Sequence, residues 1–334
     1  MLYLYTTKPC SMILRIMIIL CVAFPWVLNS QNLKPVEDYL RLDATGDDPL
    51  YTTYAAAMKR SKLYGDNAYK IDYYSDNLPV TYSSDQSGSM FCIWKVDEVV
   101  IRSIGEYFKK PVVIFSFPDL AILEYEPFRG IRVRETFFVY SSAVAMVDME
   151  VRNLDEIPHE IVAYPILELG NDSLEIIGYD SLHQSYILHR NESLYRLISS
   201  LKPEYGYPTR VRDIFTTNRK NDSYGGYMGN MAGFYTQIKT DYYSPYHSDK
   251  LNVLHSGYVD YTAIQLKKRL RSGERTNFRY IRGIQAQSED IGLLQEEVGR
   301  MKEIHLRSFV DDNLILFSRI PRIRFKSSDE KLIY

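Results

Sequence analysis

The chain has 334 residues and a mass of 39.0 kDa, with 46% apolar residues, 25% charged residues and a formal net charge of −2. These values are typical of a globular protein with a full core, and they exclude a disordered chain and a polytopic membrane protein. The small negative charge argues against a nucleic-acid-binding surface, which normally carries a basic excess. Tyrosine is abundant, with 29 Tyr against 14 Phe and 2 Trp, which favours β-strands and half-buried, wet surfaces.

Residues 1–30 have the pattern of a secretory signal peptide. An uncharged apolar run over residues 16–28 follows Lys8 and Arg15, and its length suits a signal peptide better than a transmembrane span. A buried helix or an uncleaved anchor is the alternative. Removal of the signal leaves Cys92 as the single cysteine, so the exported protein has no internal disulfide framework. We expect a periplasmic or extracellular location and no stable membrane span after cleavage.

Period-two alternation dominates from residue 99 to about residue 284. Along residues 131–139 and 147–152, most positions alternate between apolar and polar side chains, and turn residues such as Arg129-Gly130 separate such runs. Strands follow one another without helical patterns between them. The sequence therefore predicts a mainly β fold, a large antiparallel β-sandwich rather than a parallel βαβ sheet.

One C-terminal linker helix is predicted near residues 289–306, with Ser288 as its cap and a strand-like run at 313–318 after it. Its apolar residues recur at helical spacing: Ile291, Leu294, Val298 and Met301. Residues 328–334 have the pattern of a cap and the first turn of another helix, which predicts that the chain is a fragment. The expected organisation is a signal peptide (1–30), an irregular N-terminal part of the sandwich (31–98), the sandwich core (99–286), the linker helix and strand (287–318) and the start of a missing helical barrel (319–334).

Motifs for catalysis or cofactor binding are absent from the sequence. It contains no G-x-S-x-G, H-E-x-x-H, Walker loop or C-x-x-C, and the glycine-rich residues 225–233 lack a following Lys-Ser/Thr. Cys92 lies in an apolar run that raises a thiol pKa, so we interpret it as a core residue. His183 and His189 lie six residues apart, and we interpret both as surface or core residues rather than metal ligands. We predict no catalytic residue, cofactor or metal site.

A Tyr-rich segment at residues 219–247 is the strongest candidate for ligand binding. Aromatic rings that carry hydroxyl groups suit sugar rings, which present C–H faces and hydroxyl rims. The alternative is a structural loop whose tyrosines cover a sheet edge. The candidate carbohydrate-binding residues are Tyr224, Tyr227, Tyr235, Asp241, Tyr242, Tyr243 and Tyr246.

Several strings resemble the N-terminal β-sandwich (supersandwich) domain of six-hairpin glycosidases, the enzymes with an (α/α)6 barrel. They are residues 115–140, residues 147–154 with the turn that follows them, and residues 270–283, L-R-S-G-E-R-T-N-F-R-Y-I-R-G, where Ser272 stands in place of the usual proline. The predicted helix resembles the linker helix of these enzymes, and residues 320–334 resemble the beginning of their barrel. The glycogen-debranching-like and processing-glucosidase-like members are the most similar.

The resemblance implies the non-catalytic N-terminal domain of an exported glycoside hydrolase that acts on oligo- or polysaccharide. Its acid and base carboxylates would lie in the missing barrel, so this chain alone would be inactive, and carbohydrate and the barrel would be its partners. Two alternatives remain open. One is a stand-alone carbohydrate-binding or adhesion module. The other is a self-contained sugar-active sandwich enzyme, for which His247 and His255 are the acid–base candidates.

Overall fold

The computed structural model describes residues 40–47, 54–55, 68–84, 88–169, 173–180, 185–191, 210–218, 223–240 and 261–319. The strands in these ranges are β1 (Tyr54–Ala55), β2 (Tyr69–Asp72), β3 (Thr81–Ser84), β4 (Ser89–Val96), β5 (Val99–Ile101), β6 (Lys109–Ser116), β7 (Leu120–Phe128), β8 (Ile131–Val139), β9 (Val144–Asn153), β10 (His159–Glu168), β11 (Ser173–Asp180), β12 (Ser185–Asn191), β13 (Arg210–Thr217), β14 (Ser223–Gly229), β15 (Tyr261–Leu270) and β16 (Arg275–Ala286). The α-helices are α1 (Met231–Thr240), α2 (Ile291–Glu303) and α3 (Arg307–Ser318).

The strands form two antiparallel sheets. The first sheet has the order β1-β2-β3-β4-β10-β15-β14, with β5 paired to β4, and the second has the order β11-β12-β13-β16-β9-β8-β7-β6. Every pairing in both sheets is antiparallel, as the absence of helical patterns between most strands predicts. The prediction of a large antiparallel β-sandwich is confirmed.

A core of apolar and aromatic side chains fills the space between the sheets. The ring of Phe137 on β8 lies 4.1 Å from Tyr82 and 5.2 Å from Tyr69, centroid to centroid, and both tyrosines belong to the first sheet. The alternation of β8 explains this contact, since Ile131 and Val133 are fully buried on the same face while the intervening arginines are exposed. The buried thiol of Cys92 also belongs to this core, as predicted.

Helices cover parts of both outer faces. Asp290 caps helix α2, because its side chain accepts a hydrogen bond from the Gly292 N–H at 2.9 Å. The helix buries Leu294, Val298 and Met301 against the second sheet. Helix α1 packs on the first sheet. No helix in the described ranges has the length and apolar character that crossing a membrane requires.

Three details of the sequence prediction are wrong. Helix α2 is capped by Asp290 instead of Ser288, and it is one of three helices in the described ranges rather than a single one. The run at 313–318 is the end of helix α3 instead of a strand. Six residues are too few to distinguish strand spacing from helical spacing. Over the whole segment, the residues that pack inward recur every three to four positions: Phe309, Val310, Asn313, Leu314 and Phe317.

The Tyr-rich segment contains regular structure, because β14 and α1 lie within it. Glycines at 225, 226, 229 and 233 obscure both patterns in the sequence. Two of them are required by packing, since a Cβ atom on Gly229 or Gly233 would lie 2.2 Å from the Tyr227 hydroxyl.

Candidate functional site

A carboxyl group lies in the core between the sheets. Glu135 is 1% exposed, and it faces the first sheet because it shares the buried face of β8 with Val133 and Phe137. Tyr82 donates its hydroxyl hydrogen to Glu135 Oε1 at 2.7 Å, and Tyr125 donates to Oε2. We call the surrounding group the core polar cluster; its members are Glu135, Tyr82, Tyr125, Tyr107, Tyr280 and Trp94.

The electrostatics of the core polar cluster follow from burial. Burial raises the pKa of Glu135 to about 7, and the hydrogen bonds from Tyr125 and Tyr82 act in the opposite direction. Burial and the charge on Glu135 together raise the pKa of Tyr107 and Tyr280. Glu135 therefore changes its protonation near neutral pH while it is buried between the sheets.

One member of the core polar cluster has an unsatisfied polar atom. Within the described ranges, the Tyr280 hydroxyl has no hydrogen-bond partner. Such buried groups are uncommon, because each loses its hydration without compensation. All six side chains are at most 8% exposed, so the cluster belongs to the interior of the sandwich and offers no surface for a sugar.

A second polar group joins two turns at the end of the sandwich. The ring of His159 is 3% exposed; its Nδ1 lies 2.5 Å from Asp97 Oδ2, and its Nε2 lies 3.3 Å from Asp155 Oδ2. Burial alone would lower the pKa of His159, but the hydrogen bonds to the two aspartates outweigh it and raise the pKa. Asp97 has a φ of 50°, and its Oδ1 accepts a hydrogen bond from the Glu160 N–H, so the histidine holds an unusual turn in place.

Two of the predicted carbohydrate-binding tyrosines have described side chains. The hydroxyl of Tyr227 donates to the carbonyl of Asn230 at 2.9 Å and accepts from its N–H at 3.1 Å, which fixes the start of α1. The guanidinium carbon of Arg102 lies 4.6 Å from the ring centroid of Tyr235. Both tyrosines also pack on the apolar cluster beneath α1, which includes the buried Phe234. These contacts are structural, and sugar binding by these residues stays a prediction.

The other predicted site residues lie wholly or partly outside the described residues. Tyr224 lies on β14, and its side chain is outside the described part. The other predicted site residues lie outside the described residues: Asp241, Tyr242, Tyr243, Tyr246, His247 and His255. His189 lies on β12, whereas His183 is also outside the described residues. Among the residues that are described, no group of three or more His, Cys, Asp or Glu side chains is arranged to hold a metal ion.

The strings that resemble glycosidase sandwiches meet in one sheet. They form β7, β8, β9 and β16, which are consecutive neighbours in the second sheet, together with the end of β6. On the outer face, Arg279 Nε donates to Asp148 Oδ1 at 2.7 Å, and its Nη1 donates to the carbonyls of Met301 at 3.0 Å and Ile304 at 2.9 Å. This arginine thus satisfies the free carbonyls where α2 ends.

Close packing at Gly283 completes the contact with α2. A Cβ atom on this glycine would lie 3.0 Å from Leu294 Cδ1 and 3.0 Å from Val298 Cγ2, so the missing side chain lets the helix approach the sheet. The resembling strings therefore supply the platform on which α2 docks.

Sequence reasoning missed Glu135, Asp148 and Arg279 as residues with a defined role. The alternation of residues 131–139 contained a signal for the first, because it places Glu135 on the buried face. Nothing in the local sequence pairs Asp148 with Arg279, since they are 131 residues apart and only the β9–β16 register joins them.

No protein-family model matches the chain, and no curated protein matches it. A search of solved structures returns weak likenesses to three sugar-related proteins. They are a protein assigned as a kojibiose phosphorylase from the human microbiome (8% identity, TM-score 0.43, covering 79% of this chain and 31% of that chain), a family GH92 alpha-mannosidase from Bacteroides thetaiotaomicron (10%, 0.39, 85% and 38%) and a galactose mutarotase-like protein from Lactobacillus casei (7%, 0.33, 70% and 100%). The chain spans about a third of the length of the first two.

Proposed function

We propose that this chain is the non-catalytic N-terminal β-sandwich domain of an exported glycoside hydrolase that acts on oligo- or polysaccharide. The observation that carries the proposal is the second sheet. Strings that resemble six-hairpin glycosidases lie side by side there as β7, β8, β9 and β16, and their residues Asp148, Arg279 and Gly283 dock α2. A platform for a linker helix is what such a domain needs to hold a following catalytic domain in a fixed orientation.

Apolar side chains on the docked helices support the same proposal. Leu293 on α2 is 67% exposed, while Ile315 and Leu316 on α3 are 50% and 48% exposed. Exposed leucines and isoleucines on consecutive helices are the groups that an adjoining domain buries. An (α/α)6 barrel that follows α3 in the chain is the proposed partner of this surface.

Catalysis is assigned to that barrel and not to this chain. Glycoside hydrolysis requires two carboxyl groups that face each other across an accessible cleft. Glu135 has the raised pKa of a general acid, but it is enclosed between the sheets and bonded to two tyrosines, so it cannot reach a glycosidic bond. The proposed role of the sandwich is to position the barrel and to contact carbohydrate.

Turnover and binding assays on the full chain test the proposal. We expect no release of reducing sugar from a panel of oligosaccharides, together with measurable binding to at least one glycan on an array. Steady turnover by the purified chain would show that catalysis lies within it, and binding to no glycan would refute a carbohydrate-contacting role.

Export is tested separately. Mass spectrometry of the protein expressed with residues 1–30 should find a mature chain that begins near Gln31 in the exported fraction. Retention of residues 1–30 in that fraction would contradict the signal-peptide assignment.

A further inference from the structure

Three arginines lie directly opposite one another on neighbouring strands of the second sheet. Arg275 on β16 pairs in register with Arg152 on β9, and Arg152 pairs in register with Arg132 on β8. All three are exposed, and they lie on the outer face, beyond the rows that α2 covers. We call this row the arginine ladder. Adjacent strands are about 4.8 Å apart, so the ladder presents three guanidinium groups along about 10 Å.

The acidic neighbours of the arginine ladder are few and loosely paired. Arg275 Nη1 lies 3.7 Å from Glu150 Oε2, and Arg132 Nη2 lies 3.9 Å from Glu126 Oε1. Glu126 already accepts a shorter bond from Lys109, at 2.6 Å. For Arg152, the central member, no carboxylate lies within 4.0 Å in the part of the chain that the structure describes.

Such a row does not stabilise the sheet by itself. Like charges directly opposite each other on adjacent strands destabilise the pairing, whereas β-branched or aromatic residues would stabilise it. A guanidinium group also donates up to five hydrogen bonds and pairs with carboxylate or sulfate through two of them at once. Three such groups with free donors, aligned and exposed, are arranged to take several anionic groups in a row.

We propose that the arginine ladder binds an anionic polysaccharide, whose sulfate or carboxylate groups accept hydrogen bonds from the three guanidinium groups. The inference rests on the proposed function, because it specifies the class of glycan that the sandwich contacts. A narrow ladder fits a single chain better than a nucleic-acid duplex. The next row along the same strands carries Glu150, opposite Arg134, so an acidic residue borders the ladder. The formal charge of −2 for the whole chain also argues against a nucleic-acid-binding surface.

A pair of polymers with the same backbone tests this inference. Binding of the full chain to dextran sulfate and to neutral dextran is measured by biolayer interferometry at 50 and 150 mM NaCl. The ladder variant R132Q/R152Q/R275Q is compared with a control variant, K110Q/R300Q/R307Q, which loses the same charge at exposed positions away from the ladder.

We expect wild type and the control to bind dextran sulfate with Kd values within about threefold of each other. The ladder variant should bind at least about tenfold more weakly, because three charge-assisted contacts are lost. Binding of wild type should weaken at the higher salt concentration. The melting temperature of the ladder variant should equal or exceed that of wild type, since removal of opposed like charges relieves repulsion.

Several results would overturn the inference. These are equal weakening in the ladder and control variants, a clear loss of stability in the ladder variant, and binding of duplex DNA as tight as that of dextran sulfate. If neutral glycans bind but dextran sulfate does not, the ladder is refuted and the proposed function stands. If neither kind of glycan binds, both fail.

Discussion

The buried carboxyl of Glu135 makes the stability of the sandwich depend on pH in a way that can be calculated. Folding raises its pKa from 4.5 to about 7, so the folded protein holds the proton more tightly than the unfolded chain. The associated stability is complete below the unfolded pKa and is lost as pH rises through the folded pKa. Each pKa unit corresponds to about 1.4 kcal/mol, so the free energy of unfolding should fall by about 3 kcal/mol between pH 4.5 and pH 8.

Replacement of this residue by glutamine isolates the effect. In E135Q, the amide has the shape of the protonated carboxyl, and it can accept a hydrogen bond from one tyrosine and donate to the oxygen of the other. Relative to wild type, the variant should therefore gain about 3 kcal/mol between pH 4.5 and pH 8. Guanidinium chloride unfolding at closely spaced pH values measures this difference, and the same substitution at partly exposed Glu297 should leave the wild-type pH profile unchanged.

Parallel pH profiles for wild type and E135Q would refute the reasoning. If E135Q does not fold, Tyr82→Phe provides a second test, because it removes one of the hydrogen bonds that hold the pKa down. Its loss of stability should then occur at higher pH than in wild type, and a midpoint shifted to lower pH would contradict the assigned hydrogen bond.

Three further substitutions test the contacts that hold turns and helices. The pKa of His159 is raised, so the stability that this residue contributes is full below about pH 6.5 and is lost as pH rises through the folded pKa. In urea unfolding at pH 6, His159→Gln should cost about 1–2 kcal/mol, and the difference in stability between variant and wild type should narrow by pH 9. A difference that stays constant from pH 6 to pH 9 would contradict the raised pKa. Gly283→Ala should lower the free energy of unfolding by about 1–3 kcal/mol, measured by thermal unfolding, because the added Cβ forces α2 outward. The control Gly299→Ala should leave stability unchanged or raise it, since a Cβ there meets nothing within 4 Å. Equal effects of the two substitutions would refute the close packing at Gly283. Arg279→Met should lower the free energy of unfolding by about 3 kcal/mol and speed hydrogen exchange in α2, because it leaves Asp148 and the carbonyls at the end of the helix unpaired. Unchanged exchange in α2 would show that these carbonyls do not need Arg279.

The strands were predictable because a half-buried sheet imposes period two on the sequence. The alternation along residues 131–139 predicts β8, and the same alternation places Glu135 on the buried face. A charged residue on that face breaks the expected apolar pattern, so the pattern alone does not assign it a role. Its partners Tyr82 and Tyr125 lie on two other strands, so only sheet packing brings them together. A buried polar residue such as Glu135 can therefore be recognised in the sequence as an exception to an apolar face. Its hydrogen-bond partners and its raised pKa cannot be predicted from the sequence.

The sequence predicts the helices less completely than the strands: it predicts α2 without its cap residue, and it does not predict α1. Helix α2 follows from its apolar spacing, but its cap does not, because Ser288 and Asp290 are both acceptable cap residues and the structure has Asp290 at the cap. Helix α1 was hidden, since Gly233 stands in its first turn to make room for the Tyr227 hydroxyl. For α1, a contact with the neighbouring strand explains why a glycine stands in the helix.

The outer face of the second sheet combines two kinds of surface on the same strands. At Gly283 and Arg279 the face packs against α2, and along β16 it becomes polar until it reaches Arg275, four residues from Arg279. That separation is about 13 Å, which is longer than the reach of an arginine contact and larger than the Debye length at physiological salt. Substitutions in the arginine ladder should therefore leave helix docking intact, and loss of docking should leave the ladder's charges in place, so the two surfaces can be tested independently.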